Sequence, residues 1–134
     1  MSEQSFIPVC EPLLAGRELE YVTKAVSAGW ISSSGGYVKD FEQEFAKYLG
    51  VPCAVTTTSG TAALHLALVA AGIGPGDEVI IPSFTMIATA FAVCYTGAKP
   101  VFVDAEAATW NIDVSRIAEK LSPRTRAIMP VHVY

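Results

Sequence analysis

Charge is scarce in this 134-residue sequence: Asp, Glu, Lys and Arg together make up 16% of it, against about 25% in ordinary globular chains. The net charge is −4. No Lys/Arg cluster exists to grip a phosphodiester backbone, so nucleic acid is not an expected partner. Cysteine is rare as well. Cys10, Cys53 and Cys94 are odd in number and form no CxxC pair, which fits reduced, mostly buried thiols in a cytosolic protein. The two histidines, His65 and His132, have no partners at ligand spacing, so no metal site is expected. The longest apolar-looking run, Phe84 to Tyr95, carries Thr85 and Thr89 and falls short of the about 18–20 residues that span a bilayer. The start, Met1-Ser2-Glu3-Gln4, lacks the basic region and apolar run of a signal peptide. A cytoplasmic protein without membrane insertion is the expectation. Neither a GxxxxGK[ST] loop nor a GxGxxG fingerprint is present.

What the sequence does have is apolar mass. Hydrophobic residues reach 51%, and a chain of this length can bury a real core. So much apolar content with so little charge implies a sheet covered on both faces, or more protein around it. The apolar spacing predicts a helix from Gly16 to Gly29, with Leu19, Val22 and Val26 on one face, and a second from Tyr37 to Leu49, with Val38, Phe41, Phe45 and Leu49 as its stripe. Gly50 suits the stop of the second helix. Small polar residues, Ser32 to Gly36, make the loop between them.

From residue 53 the rhythm changes. Cys53 to Thr57 is a β-prone run. Gly60 to Gly72 reads as a helix, with Leu64, Leu68 and Ala71 inward. Glu78 to Ile81 is an almost wholly apolar strand, as expected when both faces are covered. Ser83 or Thr85 can cap a helix running to about Tyr95. Lys99 to Asp104 is a third strand, Asp113 caps a helix through Leu121, and Arg126 to Val133 is a fourth strand. This β-α-β-α-β-α-β order implies an α/β fold, a doubly wound, mostly parallel sheet whose crossovers are right-handed. Tyr134 directly follows an apolar strand, so the sequence reads as the front part of a larger fold.

Ligands of open parallel sheets bind at the carboxyl ends of the strands, and three segments are expected there. Thr57-Thr58-Ser59-Gly60-Thr61 opens a helix. Its free amides and dipole favour an anion such as a phosphate monoester, and Gly60 allows close approach. Taken alone, the same residues also suit an ordinary Ser cap followed by a small-residue turn. Pro82 to Thr89 could lay an apolar side chain over a flat ring, or simply pack a core. His132 could contact a ligand or be a structural histidine.

Together these segments resemble the DegT/StrS family of pyridoxal-phosphate-dependent nucleotide-sugar aminotransferases. The matching blocks run nearly the whole chain: Phe6-Ile7-Pro8-Val9, Gly29-Trp30-Ile31-Ser32, Phe41 to Gly50, Ser59 to Leu68, Gly76 to Thr85, Gly97 to Asp104 and Val131-His132-Val133-Tyr134. Their order and spacing are far more specific than any one block. The resemblance implies the large domain of a fold type I aminotransferase, with residues 1–52 as an N-terminal helical segment and 53–134 as the first part of the cofactor-binding domain. It implies that Ser59, Gly60 and Thr61 hold the phosphate of pyridoxal 5'-phosphate, that Met86 stands where the family stacks an aromatic ring on the pyridine, and that His132 lies near the cofactor. A thioether also packs on a ring face. Phe91 departs from an Asn common at its position, and Ser32-Ser33-Ser34 corresponds to a segment near the substrate.

The family's Schiff-base lysine, and the carboxylate that pairs with the pyridinium nitrogen, are expected beyond residue 134. Lys24, Lys39, Lys47, Lys99 and Lys120 match neither position. No catalytic residue is therefore assigned within the chain, and the chain alone is expected to be inactive. The implied activity of the whole enzyme is amino transfer, from L-glutamate, onto a nucleotide-linked keto-deoxy sugar. Such an enzyme acts as a homodimer and feeds O-antigen or other surface polysaccharide synthesis, in the perosamine-synthase-like branch. A sugar dehydratase of the same family, a non-catalytic remnant and an unrelated α/β binding domain that merely shares the turn are the alternatives.

Overall fold

A computed structural model describes residues 6–133 of the chain. Met1 to Gln4 and Tyr134, used above in the signal-peptide reading and the last matching block, lie outside the described residues. Contacts divide the chain into two units, Met1–Val55 and Thr56–Tyr134.

The first unit holds helix α1, Glu18–Ser27, and helix α2, Gly36–Leu49. Glu18 and Glu20 sit in the first turn of α1 and Lys24 in its last, the arrangement that a helix dipole favours. Glu20 accepts from Arg17 and Lys24 at once. Gly29, at φ 71°, follows the end of α1, and the Trp30 amide returns to the Ala25 carbonyl. Gly50 ends α2 in the left-handed conformation, where a side chain would be strained. The apolar stripes expected on both helices are present but not buried. Leu19, Val22 and Val26 are exposed, as are Phe41, Phe45 and Leu49, and Ala46 is the buried residue of α2. Phe41 stacks on Phe45 along the helix at 5.5 Å.

The second unit runs helix α3 (Gly60–Ala70), strand β1 (Glu78–Pro82), helix α4 (Ile87–Tyr95), strand β2 (Lys99–Val103), a 3-10 turn (Val114–Arg116), helix α5 (Ile117–Lys120) and strand β3 (Thr125–Ile128). The three strands are parallel in the order β2-β1-β3. β1 is central, and all five of its residues are buried. Val79 and Ile81 point to one face, where Leu68 and Ile73 from α3 and its exit meet Ala90, Ala92 and Val93 of α4 and Ala98. Ile80, on the opposite face, is also fully buried, so both sheet faces are covered at the centre. Each such aliphatic side chain contributes about 1.5–3 kcal/mol on burial.

Several local expectations are corrected. Residues 53–57 form no strand; their backbone finds no ladder partner among the described residues. The α4 cap is neither Ser83 nor Thr85 but the extended Met86, which offers no side-chain cap bond. Asp113 does cap, accepting from the Ser115 amide, but it opens a 3-10 turn followed by the four-residue α5 rather than one helix. β3 ends at Ile128, so Val131-His132-Val133 lies past the strand. Ala71, read as inward, is an exposed C-cap. Cys10, Cys53 and Cys94, expected to be mostly buried, are free thiols on the surface.

Candidate cofactor site at the carboxyl edge

Ser59 is extended, φ −164° and ψ 163°, and its Oγ accepts from the Ala62 amide at 3.2 Å. Its carbonyl accepts from the Ala63 amide at 3.0 Å and from the Thr57 hydroxyl at 2.9 Å. These bonds satisfy the third and fourth amides of the turn. The amides of Gly60 and Thr61 precede any helical acceptor and find no hydrogen-bond acceptor among the described residues, at the positive end of the α3 dipole. No acidic residue in the first turn offsets that end. A Cβ built on Gly60 would meet nothing within 4 Å, so the glycine is not there to fit against protein. Two free amides, a serine hydroxyl, a half-buried Thr61 and open space over a glycine are what a phosphate monoester requires.

The second element of the site is the exit of β1. The Ser83 amide donates to the Val103 carbonyl at 2.8 Å. The Ser83 hydroxyl donates to Asp104 Oδ1 at 3.0 Å, and the Ala105 amide shares that oxygen at 3.0 Å. Phe84 packs on Trp110 with ring centroids 5.3 Å apart. Thr85 and Thr89 join hydroxyl to hydroxyl at 2.8 Å. Met86, at the head of α4, leaves its side chain 68% exposed and so free to meet a ligand.

Two cavities lie beside this turn. One, of about 430 Å³, is lined by Ser83, Phe84, Asp104, Glu106 and Trp110 among others. A second, of about 450 Å³, is lined by Phe84, Thr109, Trp110, Asn111 and Val133. His132 is exposed and immediately precedes Val133, so its segment reaches the carboxyl edge even though it is not in a strand. The structure thus brings the His132 segment to Phe84, two residues from Met86. Among the described residues, no hydrogen bond or ring contact links Ser59, Gly60 or Thr61 to Met86 or His132. Those two helix starts share only the packing of α3 on α4.

Sequence reasoning missed Asp104 as a partner of Ser83, and it missed Trp110. Trp110 takes φ 61°, a left-handed conformation uncommon for an aromatic residue. It is held by its amide bond to the Glu106 carbonyl at 3.0 Å and by the Glu106–Asn111 backbone bond at 2.9 Å; the Thr109 hydroxyl also donates to the Glu106 carboxylate. A lone aromatic among polar loop residues was the available signal. Arg116 stands 3.8 Å from Asp104 and 3.3 Å from Asp113. The Ser115 hydroxyl bond is the main cause that holds the Asp113 carboxyl below its usual range, with Arg116 adding to it. No group of His, Cys, Asp and Glu among the described residues could hold a metal ion, and no described helix is long and apolar enough to cross a membrane.

The sequence profile of the DegT/DnrJ/EryC1/StrS aminotransferase family matches residues 12–134. The chain belongs to this family. It is 52% identical to a GDP-perosamine synthase of Caulobacter vibrioides, over 100% of this chain and 36% of that protein. It is 50% identical to a GDP-perosamine synthase of Escherichia coli O157:H7, over 96% of this chain and 35% of that protein. NtdA from Bacillus subtilis, solved with bound cofactor PMP, superposes with a TM-score of 0.79 at 38% identity, covering 86% of this chain and 26% of that one. The chain spans about a third of the length of the curated relatives it matches. Its α/β fold is that of the fold type I aminotransferases, and the family's cofactor is pyridoxal phosphate.

Proposed function

We propose that this chain forms the N-terminal part of a pyridoxal-phosphate-dependent aminotransferase that moves an amino group from L-glutamate onto a nucleotide-linked keto-deoxy sugar. In this reading, residues 1–52 are the N-terminal helical segment and residues 53–134 the first part of the cofactor-binding large domain. Ser59, Gly60 and Thr61 seat the phosphate through open amides and hydroxyls. Met86 lies against the pyridine ring, and the His132 segment closes the same edge. Bound there, the cofactor supplies the electron sink that amino transfer needs. The chain's own part is to fix the phosphate at a helix start, where no charge is reorganised during the reaction, and to keep one ring face dry. The enzyme works as a homodimer in the cytoplasm and supplies amino sugars for surface polysaccharide such as O-antigen.

One observation carries this reading. The turn whose two first amides find no acceptor among the described residues, with open space over Gly60, sits in a chain 52% identical over its whole length to about a third of a GDP-perosamine synthase. The full-length protein, given L-glutamate and a GDP-linked keto-deoxy sugar, should form 2-oxoglutarate and a slightly heavier amino sugar, in which an amine and a hydrogen replace the carbonyl oxygen. Formation of neither, by a protein that binds pyridoxal phosphate, would refute the assigned reaction. Thr61→Ala should weaken cofactor binding by about tenfold, the loss of one hydrogen bond to a charged group. Unchanged affinity would move the phosphate elsewhere.

A further inference from the structure

Met86 is a poor candidate to position itself. Its side chain is 68% exposed and the residue forms no side-chain cap bond, and a thioether has three rotatable bonds. Its backbone, by contrast, is gripped. The Met86 carbonyl accepts from the Thr89 amide at 3.0 Å and from the Thr85 hydroxyl at 3.4 Å. The Thr85 and Thr89 hydroxyls meet at 2.8 Å. If Thr89 donates, Thr85 keeps its own proton for the Met86 carbonyl, so all three contacts converge on one peptide group. The other end of the turn is fixed by Ser83 on Val103 and Asp104.

Thr89 is only 3% exposed. A buried hydroxyl is costly unless it is bonded, and a valine would fill the same space without that cost. The hydroxyl therefore has a use that packing alone does not supply. We infer that Thr89 is a positioning residue: through Thr85, it fixes the turn that presents Met86 to the pyridine ring of the cofactor. This inference rests on the placement of Met86 given under Proposed function.

The test uses the full-length protein with Thr89→Val, Thr89→Ser, Met86→Ala and the Thr89→Val/Met86→Ala pair. Three quantities are measured: affinity for added pyridoxal phosphate by protein fluorescence, visible circular dichroism of the bound cofactor, and melting temperature without cofactor. Thr89→Val should weaken binding by about three- to tenfold, the scale of one net hydrogen bond, and diminish the dichroism. Thr89→Ser should restore both to within about twofold, and Thr89→Val should add less than about twofold in the Met86→Ala background, because coupled residues are not additive. A Thr89→Val protein with wild-type affinity and dichroism overturns the inference, as does an effect that adds in full to Met86→Ala. If Thr89→Val does not fold, Thr85→Val breaks the same bond from a half-buried position and is judged by the same outcomes. Met86→Ala without effect refutes both this inference and the ring placement of Met86. A Met86→Ala loss with Thr89→Val unchanged refutes this inference alone.

Discussion

Arg124 grips Glu78 with two nitrogens on one oxygen, Nε at 3.0 Å and Nη2 at 2.7 Å from Oε1. Ser122 donates to the other oxygen at 2.6 Å, and the Glu78 side chain is only 7% exposed. The Glu78 amide also reaches the Arg124 carbonyl at 2.8 Å. The first residue of β1 is thereby locked to the approach of β3, at the sheet edge opposite the candidate site.

This lock sets an acid limit. The Ser122 hydrogen bond, and after it the Arg124 bonds, hold the Glu78 carboxyl below its usual range against the opposing pull of burial. A depressed folded pKa stabilises the protein above the unfolded value, about 4.3, and that contribution is lost as pH falls through the folded value. Melting temperature should therefore drop on acidification below about pH 4.3, and Glu78→Gln should be less stable at neutral pH but less sensitive to acid. Glu20 is pulled down to about 2, first by Arg17 and then by Lys24. It is far more exposed, so salt should screen its share. Repeating the titration at high salt separates the two. A Glu78→Gln protein with the wild-type pH slope would show that the lock carries none of it.

A second prediction concerns the turn that feeds β2. Gly97 has φ +80°, and a Cβ there would stand 2.9 Å from Pro75 Cγ. Gly97→Ala meets two penalties: left-handed backbone, about 1–2 kcal/mol, and displacement of a ring that has little freedom to move. Gly29 shares the backbone conformation, φ +71°, but a Cβ there meets nothing within 4 Å. Gly29→Ala should show the first penalty alone. Urea unfolding of both variants measures the difference, and equal losses would mean that Pro75 yields at no cost.

The pattern of what was readable follows from the range of the interactions. Gly50 and Ser59 were legible because caps are local: each is decided by bonds within four residues. β1 was legible because five consecutive buried positions leave a run with few polar residues. The Cys53 to Thr57 run had the composition of a strand but not its partner, and a strand exists only as half of a pair. The start of α4 misled for a related reason. Ser83 and Thr85 are good caps in isolation, yet Asp104 claims the first hydroxyl and Thr89 the second. Trp110 against Phe84 is a contact between distant loops, and no periodicity announces it. The Ser59 to Thr61 turn suggests an anion site by its residues alone, while its proposed assignment to a cofactor rests on the flanking blocks.

The most discriminating change in that turn is Gly60→Ala. A plain helix start and a phosphate seat respond to it in opposite ways. In the protein alone the new methyl touches nothing, since no atom lies within 4 Å of it, and alanine narrows the unfolded ensemble. Stability without cofactor should rise by about 0.4–1 kcal/mol. In a phosphate seat the methyl occupies the approach to the Gly60 and Thr61 amides, and cofactor affinity should fall by about tenfold or more. Ser59→Ala provides the contrast, because it removes the bond to the Ala62 amide and should cost about 1 kcal/mol of stability without ligand, while it also takes a hydroxyl donor from the phosphate. Melting temperature without cofactor, read beside pyridoxal phosphate affinity, gives both quantities for each variant. A Gly60→Ala protein that is more stable and binds as well as the parent would reduce the turn to a helix cap. One that is more stable and binds poorly has lost only the space above the glycine, which ties that space to the phosphate.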